Sequence, residues 1–91
     1  MRIVFESTHD SMRVTGFEYE NKYSLKYEQY HLEQWFKFRD GAVDSLDTLQ
    51  NTIAPNLAQG VAERFVQMLE EQSAAIFSAN GGDEIQFPKI I

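Results

Sequence analysis

Apolar and polar side chains alternate with a period of two over residues 23–28 and 30–38, a pattern typical of strands that bury one face. Tyr23, Leu25 and Tyr27 alternate with polar neighbours, and four of the five even positions from 30 to 38 are apolar. The pattern predicts strands over 2–6, 12–19, 23–28 and 30–38, with a polar turn over 7–11. A helix over 27–39 that ends at Gly41 is the alternative.

The register of the second hairpin depends on the length of its loop. A three-residue loop, Glu20 to Lys22, pairs Tyr19 with Tyr23 and Phe17 with Leu25, which places these aromatic side chains together with Tyr27 on the face that the helices cover. A two-residue loop pairs Tyr19 with Lys22, which moves Phe17 and Tyr19 to the opposite face. We expect the longer loop, because it buries more aromatic surface, although Asn21 tolerates the left-handed conformation of a shorter one.

The second half of the chain has helical periodicity. Leu46, Leu49 and Ile53 share one face, with Asp44 as the expected N-cap, and Pro55 is expected to end this helix and begin the next. The second helix is predicted from Pro55 to Asn80, with the alternative of a strand over 75–79 left open. A last strand is predicted over 84–87. In the expected core, side chains of the long helix pack on one face of the sheet: Val61, Phe65, Met68 and Leu69 on Leu25, Leu32, Phe36 and Phe38.

This order of elements predicts a single α+β domain over 1–91. Its antiparallel sheet has four to five strands, an N-terminal meander plus a C-terminal strand, and two helices pack on one face. A chain of 91 residues can form one thin core but not a core and a deep pocket as well.

Charge and composition narrow the function classes. The chain has 14 acidic and 8 basic residues, and the basic ones are scattered. We therefore expect no direct binding to nucleic acid or to a membrane. The negative net charge fits a protein partner better, for example one with a basic surface. Without cysteine there is neither a disulfide nor a thiolate metal site. The N-terminus resembles neither a signal peptide nor a membrane span, so we expect a cytoplasmic protein.

No arrangement of side chains indicates catalysis. His9-Asp10 is expected in a turn, and His31 with Glu33 supplies too few ligands for a usual zinc site. Asp40, Asp44 and Asp47 read as helix-capping acids rather than as a calcium loop. We expect no enzymatic activity, no metal and no organic cofactor.

Trp35 is the residue that most suggests an interaction site. It lies on the polar side of the alternation, on the same predicted face as four charged or polar side chains: His31, Glu33, Lys37 and Arg39. Tryptophan and arginine are enriched at binding hot spots. The plainer interpretation is that a chain segment covers the indole and that the charged stems pack beside it.

The function expected from these observations is a non-enzymatic interaction module, such as a small acidic inhibitor, an immunity-type protein or a phage-encoded antagonist. Trp35, His31, Glu33, Lys37 and Arg39 are the predicted partner-binding residues. A self-associating accessory or structural subunit, with a homodimer that buries Phe17 and Tyr19, is the alternative. Nucleic-acid mimicry and small-ligand binding fit the composition less well.

Overall fold

The computed structural model describes residues 1–80, in which four antiparallel strands form one sheet. The strands are β1 (Arg2–His9), β2 (Met12–Tyr19), β3 (Lys22–Gln29) and β4 (Leu32–Lys37), and they lie side by side in chain order. The domain is therefore α+β, and the N-terminal half is a meander, as predicted. The helix considered for 27–39 is not formed. The strand predicted over 84–87 lies outside the described residues.

The strands are joined by two-residue turns that recur every ten residues. Each turn has two residues with positive φ: Asp10 and Ser11, Glu20 and Asn21, and Tyr30 and His31. Such turns match the twist of antiparallel strands, and they hold each hairpin in a fixed register. His9 consequently belongs to β1 and pairs with Met12, so the prediction of a longer polar turn over 7–11 is wrong.

The second turn is the shorter of the two loops considered, so the predicted register is wrong. Tyr19 pairs with Lys22 and Glu18 with Tyr23. Because directly paired residues share a face of the sheet, Phe17 and Tyr19 lie on one face, and Tyr23, Leu25 and Tyr27 lie on the other. Glu20 and Asn21 both have positive φ, a conformation that Asn tolerates better than most residues, and the shorter loop that they form places Phe17 and Tyr19 on the other face.

One continuous helical segment replaces the two predicted helices. It consists of α1 (Leu46–Thr48), a wide π-helical turn over Leu49–Ile53 and α2 (Ala54–Ala79). The Ser45 hydroxyl, rather than Asp44, caps the start by accepting a hydrogen bond from the Thr48 amide. In the wide turn the Ala54 amide donates to the Leu49 carbonyl five residues earlier, and Pro55, which has no N–H to donate, follows as the second residue of α2.

The helix α2 crosses the sheet on one face, from the β1–β2 side towards β4. Near its start, the Tyr27 hydroxyl donates to the Ala54 carbonyl at 2.8 Å. Two turns later, the Gln34 amide donates to the Val61 carbonyl at 2.9 Å, and Arg64 donates to the Gln34 side-chain oxygen. The helix reaches Ala79, so residues 75–79 are helical.

The core lies between α2 and the face of the sheet that bears the even-numbered residues of β2 and β4. Val61, Phe65 and Leu25 are fully buried, and Leu32, Phe36, Phe38 and Met68 pack against them while partly exposed. Leu69 is also partly exposed, and every residue from Glu70 to Ala79 is exposed. The predicted core is thus correct for the first half of α2, but the helix continues past the edge of the sheet.

Candidate interaction face

Among residues 1–80, the helix covers one face of the sheet and no element packs on the other. This second surface, called the outer face here, has a mixture of aromatic, apolar and charged side chains. Its members are Ile3, Glu6, Thr8, Arg13, Thr15, Phe17, Tyr19, Lys22, Ser24, Lys26, Glu28, Glu33, Trp35 and Lys37. The two-residue loops create this surface, since they fix which side chains share it.

An aromatic stack lies near the centre of the outer face. The rings of Phe17 and Trp35 are 5.3 Å apart between centroids and nearly parallel, at 19°. They come from β2 and β4 and meet across β3, where Ser24 is paired with Phe17. A small side chain at this position leaves room for the two rings to approach each other.

A lysine completes this cluster. The Lys26 ammonium group lies 5.7 Å from the centroid of each ring and 3.6 Å from a carboxylate oxygen of Glu28. A cation at this distance is attracted by the electron-rich faces of the rings. The stack, the lysine and the acid therefore hold one another in place.

Trp35 remains accessible although it is stacked. Its exposed fraction is 41%, and its indole N–H donates to a Glu33 carboxylate oxygen at 3.0 Å. Tyr19 and Ile3, also on the outer face, are each 54% exposed. The outer face thus combines a fixed tryptophan with further accessible apolar surface.

The predicted partner-binding residues are only partly brought together. Glu33, Trp35 and Lys37 alternate along β4 on the outer face. His31 is instead the second residue of a turn, with φ of 62°, and Arg39 lies beyond the end of β4. The five residues do not form the single strand face that the period-two pattern predicted, because β4 spans only six residues.

Sequence reasoning missed the neighbours that matter most to Trp35. Phe17 and Lys26, from two other strands, contact the indole, whereas Trp35 was expected to be alone among charged residues. The signal that could have placed Phe17 beside Trp35 is the recurrence of turn-forming pairs every ten residues. That recurrence makes the two-residue loop at Glu20-Asn21 part of a series.

The net acidity of the chain does not come from the sheet. The outer face has four bases (Arg13, Lys22, Lys26 and Lys37) and three acids (Glu6, Glu28 and Glu33). The helical segment over 46–79 has four acids (Asp47, Glu63, Glu70 and Glu71) and one base, Arg64. A partner with a basic surface would therefore suit the helical side better than the outer face.

Within residues 1–80, no three potential metal-ligating acids or histidines lie close together. None of the helices in this part of the chain has the length and apolar character to cross a membrane. Comparison with protein-family models, with curated proteins and with solved structures finds no significant match.

Proposed function

We propose that the protein is a non-enzymatic interaction module whose outer face occupies the surface of a protein partner. The observation that supports this most is the accessible Trp35, held against Phe17 and Lys26 on a sheet face that α2 does not cover. Small inhibitors, immunity-type proteins and phage-encoded antagonists act in this way, and we place the protein in this class.

The arrangement of the cluster favours binding for an entropic reason. Fixing a mobile side chain at an interface costs about 0.5–1.5 kcal/mol. The stacking contact with Phe17 and the hydrogen bond to Glu33 already restrict Trp35 before any partner arrives. A flat surface with a rigid aromatic centre and charged residues around it is typical of a binding hot spot and its rim.

An accessory subunit of a larger assembly is the alternative, and the exposed Tyr19 and Ile3 are compatible with it. Nucleic-acid mimicry by carboxylates would have to use the helical side, since the outer face has at least as many bases as acids. We propose no direct nucleic-acid or membrane binding and a cytoplasmic location.

The test is capture of partners from the native host with the full chain as bait, read by mass spectrometry, followed by affinity measurement. Trp35→Ala should raise the Kd for the captured protein about 30-fold or more, because a stacked hot-spot residue is lost. Phe77→Ala is the matched control, since Phe77 is an exposed aromatic residue on the helix, away from the outer face. Equal affinity of Trp35→Ala and the wild-type protein would contradict the proposal.

A second measurement separates the outer face from charge mimicry. Glu63 lies on the helical side, away from the outer face, so replacing it by Gln should change at most the association rate and its dependence on salt, because charges outside a contact steer partners more than they hold them. Normal binding by Trp35→Ala together with loss of binding after Glu63, Glu70 and Glu71 are all changed to Gln would favour mimicry.

A further inference from the structure

The strand β4 has hydrogen-bonding groups that its only neighbour among residues 1–80 does not use. The amide of Phe38 donates to the Tyr23 carbonyl of β3. Hydrogen bonding alternates along an antiparallel strand, so residues 32, 34 and 36 also bond to β3. The N–H and C=O groups of Glu33, Trp35 and Lys37 therefore point to the opposite side, along an edge that we call the β4 edge.

The β4 edge is complementary to itself. If a second copy of β4 pairs antiparallel with Trp35 opposite Trp35, Glu33 of each copy lies opposite Lys37 of the other. The same register places Leu32 opposite Phe38 and uses all three outward-pointing residues as hydrogen-bonded pairs. Two opposite-charge pairs result from one twofold axis, because in such an interface every contact occurs twice.

Two other registers of the β4 pairing lack this match. An axis at Glu33 or at Lys37 would place like charges opposite each other, which is destabilising. At the other side of the sheet, β1 pairs with β2 through an irregularity between Ile3 and Phe5. Such a bulge is a common protection of an edge strand, and among the described residues β4 pairs with β3 without one.

The protruding end of α2 lies on the same side of the sheet as the β4 edge. The helix passes over Gln34 at Val61 and Arg64, and its exposed part, residues 70–79, is about 15 Å long at 1.5 Å per residue. Four strands spaced at about 4.8 Å have a similar width. The protruding end could therefore span the sheet of a second copy.

The apolar side chains of the protruding end lie on the side of α2 that would face the sheet of a second copy. At 3.6 residues per turn, Leu69 and Ile76 lie on the same side of α2 as the buried Ala58 and Phe65. Ile76 is 55% exposed. The charged residues of this part, Glu70 and Glu71, point away from that side, so a second acidic copy meets no carboxylate there.

We propose that the protein forms a symmetric dimer in which two β4 strands pair antiparallel about Trp35. The two sheets become one of eight strands, and the end of each α2 packs over the sheet of the other copy. This arrangement goes beyond the proposed function: it uses the edge of the sheet and leaves the outer face open. The pairing of the strands alone would be small for a stable dimer, and the helical ends add the apolar contact.

The test is a charge exchange on the β4 edge, measured by analytical ultracentrifugation of the full chain. Glu33→Lys and Lys37→Glu should each raise the dimer dissociation constant about 30-fold, since each change places like charges opposite each other twice. An equimolar mixture of the two variants should form a heterodimer of restored affinity, because the two lysines on the edge of one chain then face the two glutamates of the other. Circular dichroism of each variant confirms that the fold is retained.

A wild-type protein that is monomeric at about 100 μM would overturn the proposal, including the case in which the chain's own residues beyond Asn80 occupy the β4 edge. Dimerisation that both single variants retain would overturn the register. The wild-type chain and the charge-exchanged double variant Glu33→Lys/Lys37→Glu should dimerise equally. The affinity of Trp35→Ala for the captured protein tests the partner-binding proposal, whereas ultracentrifugation of the β4-edge variants tests the dimer. Each proposal can therefore fail without the other.

Discussion

Gly16 lies where the side chain of Phe5 crosses from β1 over β2. A Cβ atom at this position would overlap the ring of Phe5, and Gly16 itself is buried. Gly16→Ala should therefore lower the free energy of unfolding by about 1–3 kcal/mol, the range for overpacking a core, in chemical denaturation. In a Phe5→Leu background, Gly16→Ala should lower the free energy of unfolding by a smaller amount. An equal loss in both backgrounds would show that a clash with the Phe5 ring is not the cause.

Tyr27 links pH to stability. Burial raises the pKa of the Tyr27 phenol to about 12, and its hydroxyl donates to Ala54 in the core. A phenol with a raised pKa stabilises the fold fully below about pH 10, its unfolded value, and loses this contribution as the pH rises towards 12. Stability should fall by about 2 kcal/mol over this interval, at 1.36 kcal/mol per pKa unit.

Tyr27→Phe is the control for this titration, because it removes the ionisable group and keeps the ring. The variant should be less stable at pH 8, since the Ala54 carbonyl loses its donor, and its stability should fall less between pH 10 and 12. Parallel curves for the two proteins would show that Tyr27 is not the source of the alkaline loss of stability.

Phe65 is the large side chain of α2 that the sheet covers completely. Phe65→Ala should reduce the free energy of unfolding by about 3–5 kcal/mol through lost burial and the remaining cavity. The adjacent Val66 is 48% exposed, so Val66→Ala should change the free energy of unfolding by no more than about 0.5 kcal/mol, measured by chemical denaturation of both variants. A loss below 1 kcal/mol for Phe65→Ala would remove this residue from the core.

At the scale of elements, the turns hold residues in a conformation that suits glycine. Tyr30 and His31 have φ of 58° and 62°, a region that costs a non-glycine residue about 1 kcal/mol. His31→Gly should thus raise the melting temperature by several degrees, as expected for a stabilisation of about 1 kcal/mol in a small domain. His31→Ala keeps the strain and should give no such gain; equal effects of both changes would point to the imidazole instead.

The strands and the long helix could be predicted because each depends on local periodicity. Period-two alternation located β3 and β4, the turn residues at Glu20 and Asn21 located the end of β2, and the apolar stripe from Leu57 to Phe65 located α2. The register of the second hairpin could not be predicted in this way, because the energetic difference between loops of two and three residues depends on both backbone conformation and burial. The continuous helix through Pro55 was missed because a wide turn is not visible in a hydrophobic pattern.

The candidate site was predictable to a smaller extent. Trp35, Glu33 and Lys37 follow from the alternation along β4, but the contact of Trp35 with Phe17 joins strands that are not adjacent. Such a contact depends on two registers at once, so an error in one of them moves Phe17 to the wrong face. His31 was misplaced because its polar character fits a strand edge and a turn equally well.

At the scale of the whole molecule, α2 has a packed half and a protruding half. Residues 54–65 include every buried residue of this helix, whereas residues 70–79 are exposed throughout. In a dilute sample, amide hydrogen exchange should be much faster over 70–79 than over 58–65, since helices without tertiary contacts are marginally stable. Raising the protein concentration should slow exchange over 70–79 if the dimer forms. Uniform protection of α2 at every concentration would contradict its division into a packed half and a protruding half.

The regular spacing of the turns also limits how such a chain can change length during evolution. Each unit of a strand and its turn takes ten residues and reverses the direction of the chain. Gain or loss of one unit would deliver the chain to the opposite end of the sheet, where the helical segment could not cross the same core. Related chains that keep this architecture should therefore differ in the length of their sheets by steps of about twenty residues, so that two strands are added or removed together.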